Sequence, residues 1–370
     1  MQNHKVLILG PRGSGKTVFL CSMYYQLSMA TSTNFYVETT NAFKGKMLKN
    51  NFVGLLTKWP NANVFADMDE WEFKCFVKTP TKNFPTFSVT YYDYSGGRIT
   101  DARDDEGEFQ KIIEDADIIL GLIDGDKLFS DTTSFDVQLM LELDMVVAEL
   151  NNRHIAGKPV HLVISKWDIL HNRNITITQV KERLMSYPMF AQFANNIVSN
   201  GDFIRLLPVS SVGFDFAEKI GGEMIIKTGA KLKPYNVDVP LALALLDPMQ
   251  TKLNELIKEY EKLQQSEEIK VYANLSWWQR LTRWAGGKIE QIAKHFEINI
   301  EELDQLVSFW KKSGEDKIKY AREKEHEMRE KLKTKIYSVN DEKSAIEYIL
   351  YSFHTIEANL ELTHPGSIIP

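Results

Sequence analysis

The segment GPRGSGKT (residues 10–17) constrains the fold of this chain more than any other stretch. It follows the apolar run KVLIL (5–9) and precedes VFLCSMYYQL, so the spacing predicts a strand, a tight loop and a helix in that order. Gly10-x-x-x-x-Gly15-Lys16-Thr17 is the full phosphate-loop pattern, not a lone glycine cluster. Gly10, Gly13 and Gly15 allow backbone conformations that aim successive N–H groups, through Ser14 to Val18, at phosphate oxygens. A helix opening near Lys16 adds its positive N-terminal end to the same spot. Lys16 is expected at the β- and γ-phosphates, and the Thr17 hydroxyl is expected on Mg²⁺. The alternative is a glycine-rich turn that only joins strand to helix. The strand before the loop and the helix after it argue against that, so a bound nucleoside triphosphate is the expectation.

Further strand-like runs recur between helical stretches. WEFKCFVKT (71–79) and FSVTYYDYS (87–95) are β-rich and are joined by a turn-like PTKNFP, which implies one antiparallel pair. ADIILGLID (116–124) and KPVHLVISKWD (158–168) read as strands buried on both faces, and DFIRLLPVSS (202–211) makes a sixth. EFQKIIEDA and DVQLMLELDMVVAELNNR have helical spacing between them, while 31–70 reads as polar and turn-rich. The fold class expected is α/β: a mostly parallel six-stranded sheet with helices on both faces and ligands at the carboxyl ends of its strands.

Those carboxyl ends carry the remaining motifs. DYSGG (93–97) ends the third strand, where Asp93 can hold Mg²⁺ and the Gly96 N–H can meet a γ-phosphate. SKWD (165–168) ends the fifth; Asp168 can accept both the ring N–H and the exocyclic amine of guanine, and the Lys166 stem can lie along the base. An N-cap aspartate beside a surface lysine is the plainer reading of that tetrapeptide. VSS (209–211) ends the sixth strand, where a backbone N–H of Ser210 or Ser211 can reach the guanine carbonyl. Each short motif is weak alone. Four of them in order at four strand ends favour guanine over adenine and disfavour an ATP-dependent enzyme.

Residues 1 to about 250 resemble the Ras-like, translation-factor-related class of P-loop GTPases, through GPRGSGKT, DYSG, SKWD and VSS. More narrowly, GPRGSGKTVFL and PYNVDVPLALALL (234–246) look like bacterial GTPases of the double-GTPase group, associated with conflict or signalling gene clusters. The resemblance implies GTP/GDP and Mg²⁺ as ligands, with Lys16, Arg12 and Gly96 in catalysis. Ser165 stands where the class has Asn or Thr, and its hydroxyl can still hydrogen-bond the phosphate loop. Gly97 stands where Ras-like enzymes place a water-orienting glutamine, and Arg12 where Ras itself has glycine. Spacing selects no switch threonine among Thr31, Thr33, Thr39, Thr40 and Thr57. Nucleotide recognition therefore looks intact and the hydrolytic apparatus incomplete, which implies a slow GTPase switch. The competing class is a nucleotide-gated interaction module that hardly turns over.

The 370 residues exceed one typical domain, so residues 1–247 are assigned to the nucleotide domain, with a switch I-type insertion at 31–70, and 248–370 to an α-helical region. Asp247 and Pro248 read as the N-cap and first turn of a helix. SWWQRLTRWAGGKIEQIAKHF (276–296) sets Trp277, Leu281 and Trp284 on one face with Arg280, Arg283 and Lys288 nearby. Packing against the body of the protein is favoured over a membrane contact through 276–290. The helix over 315–336 is charged nearly all round, with only Ile318, Ala321, Met328, Leu332 and Ile336 in an apolar line, and is expected to protrude or pair as in a coiled coil; 344–360 should return to the bundle. A protein partner reached through these helices is expected, with self-association left open. A net charge of −6 argues against nucleic acid as a partner. Cys21 and Cys75 are read as buried thiols, and the short apolar stretch at the N-terminus does not make a signal peptide, so a cytoplasmic location is expected.

Overall fold

The computed structural model describes residues 3–11, 13–29, 34–59, 69–93, 111–112, 114–129, 160–199, 203–221, 223–248, 250, 281, 285, 287–295, 307–312 and 314–369. Its main sheet has eight strands: β1 (Asn3–Leu9), β2 (Phe35–Thr39), β3 (Asp69–Lys78), β4 (Asn83–Asp93), β5 (Ile118–Asp124), β6 (Val160–Ser165), β7 (Ile204–Pro208) and β10 (Ile368–Ile369). β8 (Ala217–Ile220) and β9 (Glu223–Ile226) form a separate hairpin. The order across the main sheet is β10-β7-β6-β5-β1-β4-β3-β2. The five central strands, β7 to β4, run parallel, and β3, β2 and β10 are antiparallel to their neighbours.

The apolar strand runs produce this sheet because successive side chains point to opposite faces. In β1, Val6 and Ile8 enter one core while Leu7 and Leu9 enter another. β5 repeats this, with Ile118, Leu120 and Leu122 on the first face and Ile119 and Ile123 on the second. The first face is covered by α1 (Lys16–Leu27) and by a helix over 239–248, α7 in chain order. The second is covered by α5 (Ile177–Met185) and α6 (Pro188–Ser199), through Val180, Leu184, Phe190 and Phe193.

All six expected strands are present, but the sheet has two more. The expected turn-rich character of 31–70 is corrected for its described part: β2 and α2 (Ala42–Gly54) form there. Asn41 caps α2 by accepting from Phe43 N and Lys44 N. Gly45 lets α2 lie close, since a Cβ there would stand 2.5 Å from Thr39 Oγ1 and 2.7 Å from the Tyr24 hydroxyl. β10 gains its identity from pairing Ile368 and Ile369 with Arg205 and Ile204 of β7.

α8 (Gly287–His295), α9 (Gly314–Lys335) and α10 (Glu342–Thr363) follow. Leu281, Ala285 and Ile289 are buried in the core of the first face, as packing requires, whereas Trp277, Arg280, Arg283 and Trp284 lie outside the described residues. α9 lies against α10, burying Ala321, Met328, Leu332 and the following Ile336, so its apolar line makes a packing seam. Its outer side carries ion pairs such as Lys331–Glu327 and Lys333–Glu330. α10 begins with an Asp341–Ser344 capping box and sets Phe353 against Phe35 and Phe87 of the sheet. Asp247 does not start a helix. Residues 239–248 and 250 are helical, and its buried carboxylate meets Arg205 at 2.6 and 2.7 Å and His161 at 2.7 Å. Arg205 also reaches Glu357 of α10 at 2.7 Å. Cys21 and Cys75 are free and buried, and burial pushes the Cys21 thiol up to about 12. Among the described residues, no helix is long and apolar enough to cross a membrane.

Candidate functional site

The carboxyl ends of β1, β4, β5, β6 and β7 converge on one edge of the parallel sheet. After β1 the chain enters the loop from Gly10, and Gly13 and Gly15 adopt φ of 87° and 92°, the left-handed region that glycine tolerates. Gly10 admits no side chain, because a Cβ would stand 2.8 Å from Ser14 Oγ and 2.9 Å from Leu122 O. Ser14 N donates to Pro11 O across the turn, and α1 then starts at Lys16 without an acidic residue in its first turn. Lys16 Nζ folds back to donate to Gly10 O at 2.6 Å and Pro11 O at 3.3 Å. Burial lowers the Lys16 ammonium below its ordinary value, and the charge of Asp93 opposes that shift. Thr17 and Val18 are half-buried in the first turn of α1. Asp93 lies at the end of β4, in register with Ile8 of β1.

Ser165 ties the other loops to this one. Its hydroxyl lies 2.7 Å from Ser14 O and 3.0 Å from Ile123 O, bridging the end of β6 to the phosphate loop and to β5. Lys166 takes a left-handed conformation (φ 54°) and turns the chain into α4 (Trp167–Asn172). Asp168 is 5% exposed in the first turn of α4 and accepts from the Ser210 hydroxyl at 2.7 Å. Burial raises the Asp168 carboxyl above its ordinary range, against the Ser210 hydrogen bond, its own backbone N–H and the charge of Lys166. Ser210 Oγ in turn accepts from Gly213 N, and the Ser210 N–H donates to Tyr235 O. Ser211 O accepts from Ser22 of α1, which joins the end of β7 to the helix of the phosphate loop.

Of the residues singled out in the sequence, Gly10, Gly13, Ser14, Gly15, Lys16, Thr17, Val18, Asp93, Ser165, Lys166, Asp168, Ser210 and Ser211 all stand at these strand ends. Arg12, Gly96, Gly97, Thr31 and Thr33 lie outside the described residues, as do Arg98 and Arg103 just beyond DYSGG. The hydroxyls of Thr39, Thr40 and Thr57 are bonded to Asn41 O, the Glu72 carboxylate and Gly54 O.

Sequence reasoning missed Asp124. It is 2% exposed at the end of β5, accepts from Lys166 Nζ at 2.6 Å, and caps α3 (Gly125–Leu128) by accepting from Asp126 N. Next to it, Gly125 lets α3 approach Ser165, whose carbonyl would be 2.6 Å from a Cβ. The signal available was an aspartate ending an otherwise apolar strand just before a glycine, in ADIILGLIDG. Asp126 accepts from both Arg173 and Lys219, so the β8–β9 hairpin is anchored beside the same site.

The loop fits a polyphosphate. Two glycines hold the required left-handed backbone, a half-buried ammonium rests on carbonyls, and Ser14 Oγ is buried with no hydrogen-bond partner among the described residues. Thr17 and Asp93 carry oxygen atoms of the kind that Mg²⁺ takes. No protein-family model matches the chain, and no curated protein does. Among solved structures, it is similar to the signal recognition particle receptor SRb-GTP/SRX complex from Chaetomium thermophilum. That match has 15% identity and a TM-score of 0.38, over 58% of this chain and 93% of the other. A likeness that remote carries no argument.

Proposed function

We propose that the protein is a guanine-nucleotide switch that binds GTP or GDP with Mg²⁺ and hydrolyses GTP slowly. The observation that carries this reading is the Ser165 hydroxyl between Ser14 O and Ile123 O, which makes the phosphate loop and the base-reading loop one hydrogen-bonded unit. In this reading the N–H groups from Gly13 to Val18 cradle the phosphates, and Lys16 exchanges Gly10 O and Pro11 O for phosphate oxygens. Thr17 and Asp93 hold Mg²⁺, which neutralises charge on the β- and γ-phosphates. Asp168 accepts the guanine N–H pair, oriented by Ser210, and the Lys166 stem covers the base, positioned by Asp124. Because Tyr235 takes the Ser210 N–H, the Ser211 N–H is assigned to the base carbonyl. Gly96 contributes its N–H at the γ-phosphate.

Gly97 leaves the attacking water without a side chain to orient it, and positioning is most of what such sites contribute. Arg12, Arg98 and Arg103 are candidate cations for the transferred phosphoryl group. Residues 1–247 hold the nucleotide and 248–370 report its state to a protein partner, through α10 and the Arg205–Glu357 link. From the sequence resemblance to the double-GTPase group we assign such a switch to bacterial conflict signalling in the cytoplasm.

Direct titration of GTP and ATP tests the base assignment: wild type prefers GTP, and Asp168→Asn gains xanthine nucleotide at the expense of guanine. Equal wild-type affinity for GTP and ATP refutes it. Single-turnover GTP cleavage by wild type and Arg12→Ala tests the rate. Fast wild-type cleavage that collapses in Arg12→Ala refutes slow hydrolysis and makes Arg12 catalytic. Wild-type binding without measurable cleavage selects the nucleotide-gated interaction module, the reading that the glycine at position 97 also favours.

A further inference from the structure

The outer face of α2 is chemically unlike the chain as a whole. No Asp or Glu occurs from Thr39 to Trp59, while Lys44, Lys46, Lys49 and Lys58 all fall there, in a chain of net charge −6. Gly45, Leu48 and Phe52 turn inward on the helical period. Four apolar side chains stand open on the remaining surface of α2 and the turn after it, beside exposed Asn50 and Asn51: Phe43 is 76% exposed, Val53 50%, Leu56 45% and Met47 37%. Lys46 is exposed among them, and Lys49 is exposed at the flank of this face with its ammonium 5.6 Å from the centre of the Tyr24 ring. The acids of the neighbouring strand, Glu70 and Glu72, stand at the N-terminal end of α2, where Lys44 meets Glu70 O and Thr40 meets the Glu72 carboxylate. Exposed apolar side chains grouped in this way mark an interaction surface.

We propose that this face of α2 docks the protein onto an anionic lipid surface. Phe43, Met47, Val53 and Leu56 enter the boundary between headgroups and acyl chains, and Lys46, Lys49 and Lys58 meet lipid phosphates and carboxylates. Two features favour a lipid surface over an acidic protein. The face is the convex side of a helix, which a deformable surface can accept without a matching groove. Lys46 lies between the apolar residues and Lys49 and Lys58 flank them, so these long stems keep their charges at headgroup level when the apolar neighbours insert. These residues lie in the 31–70 insertion, but none is assigned a contact with phosphate, metal or base, so the two readings are tested separately.

Vesicle flotation of the full chain tests it. Wild type floats with phosphatidylserine-rich vesicles and not with pure phosphatidylcholine. Phe43→Ser/Met47→Ser and, separately, Lys46→Glu/Lys49→Glu each lower the vesicle-bound fraction by at least about tenfold. Both variants keep wild-type circular dichroism and GTP titration, because the substituted side chains are exposed. Failure of wild type to float with anionic vesicles overturns the proposal, as do equal flotation with neutral vesicles and equal flotation of the variants. Retention on polyglutamate without vesicle binding assigns the face to an acidic protein and overturns it as well. Loss of GTP binding with intact flotation counts against the nucleotide reading alone.

Discussion

Ser165→Ala removes one hydroxyl from the junction between the 165–168 loop, assigned to the base under the proposed function, and the 10–17 loop. That hydroxyl lies 2.7 Å from Ser14 O and 3.0 Å from Ile123 O, and Ser165 is 4% exposed, so bulk water has little access to replace it. One proton serves both carbonyls. The loss is therefore one hydrogen bond plus a less satisfied buried acceptor, about 1–3 kcal/mol in all. If all of it falls on binding, nucleotide affinity drops roughly 5- to 150-fold; any part that falls on folding appears in urea denaturation instead. Since Ser14 belongs to the phosphate loop, GTP and GDP should weaken together while the GTP-to-ATP preference is kept. Ser165→Asn, which offers an amide donor at similar reach, should recover most of the loss. Calorimetric titration of both nucleotides, together with urea unfolding of the ligand-free protein, measures the two parts. Ser165→Ala that binds within about twofold of wild type and unfolds at the same urea concentration refutes the reasoning. So does a variant that loses guanine preference, because the hydroxyl then acts on the base instead of the loop.

Asp124→Asn weakens the grip on Lys166 and should lower GTP affinity about 3- to 20-fold, scaled from a charged hydrogen bond reduced to a neutral one; an unchanged titration removes Asp124 from the site. Arg205→Met leaves Asp247 and Glu357 buried without that guanidinium and should cost about 3–5 kcal/mol in urea unfolding, with a loss below about 1 kcal/mol contradicting it. In the intact protein, burial alone would push the Glu357 carboxyl up, but Arg205 and His354 hold it well below the usual range. His364 is lowered from 6.5 to about 4, first by burial and then by the charge of His171, while its ring meets the Tyr235 hydroxyl at 2.8 Å. The folded protein thus binds this proton less readily than the unfolded chain. The His364 contribution is fully present above pH 6.5 and is lost as pH falls towards 4. His364→Gln should flatten the unfolding free energy across that window, and an unchanged slope refutes the assignment.

Several features were legible because they are local. The phosphate loop is contiguous, and its glycines do their work through their own φ angles. The central strands were readable because apolar runs such as KVLIL leave no polar face, so both sides must be buried. The Ser165 bond to the loop was readable because the motif needs a donor at that position and Ser165 offers one. β2 and β10 were not, because five- and two-residue strands acquire their identity only from the partner they pair with. α2 was hidden by Gly45 and Gly54, which lower helix propensity; its place is set by close packing of Gly45 on Tyr24 and Thr39.

Asp247 shows the limit most plainly. Beside a proline it reads as a helix cap, yet Arg205, 42 residues away, and His161, 86 away, draw its carboxylate into the core. Asp124 likewise looks like the end of a strand until Lys166 meets it across the same 42-residue separation. Backbone freedom and hydrophobic period act over a few residues, so the glycine-rich loop, the buried strands and the order of the motifs could be read along the chain. Which charges neutralise one another in the core, and which hydroxyl orients which carboxylate, was decided by tertiary structure alone. A buried charge needs a partner at hydrogen-bond distance, and no pattern along the chain says which distant residue will supply it.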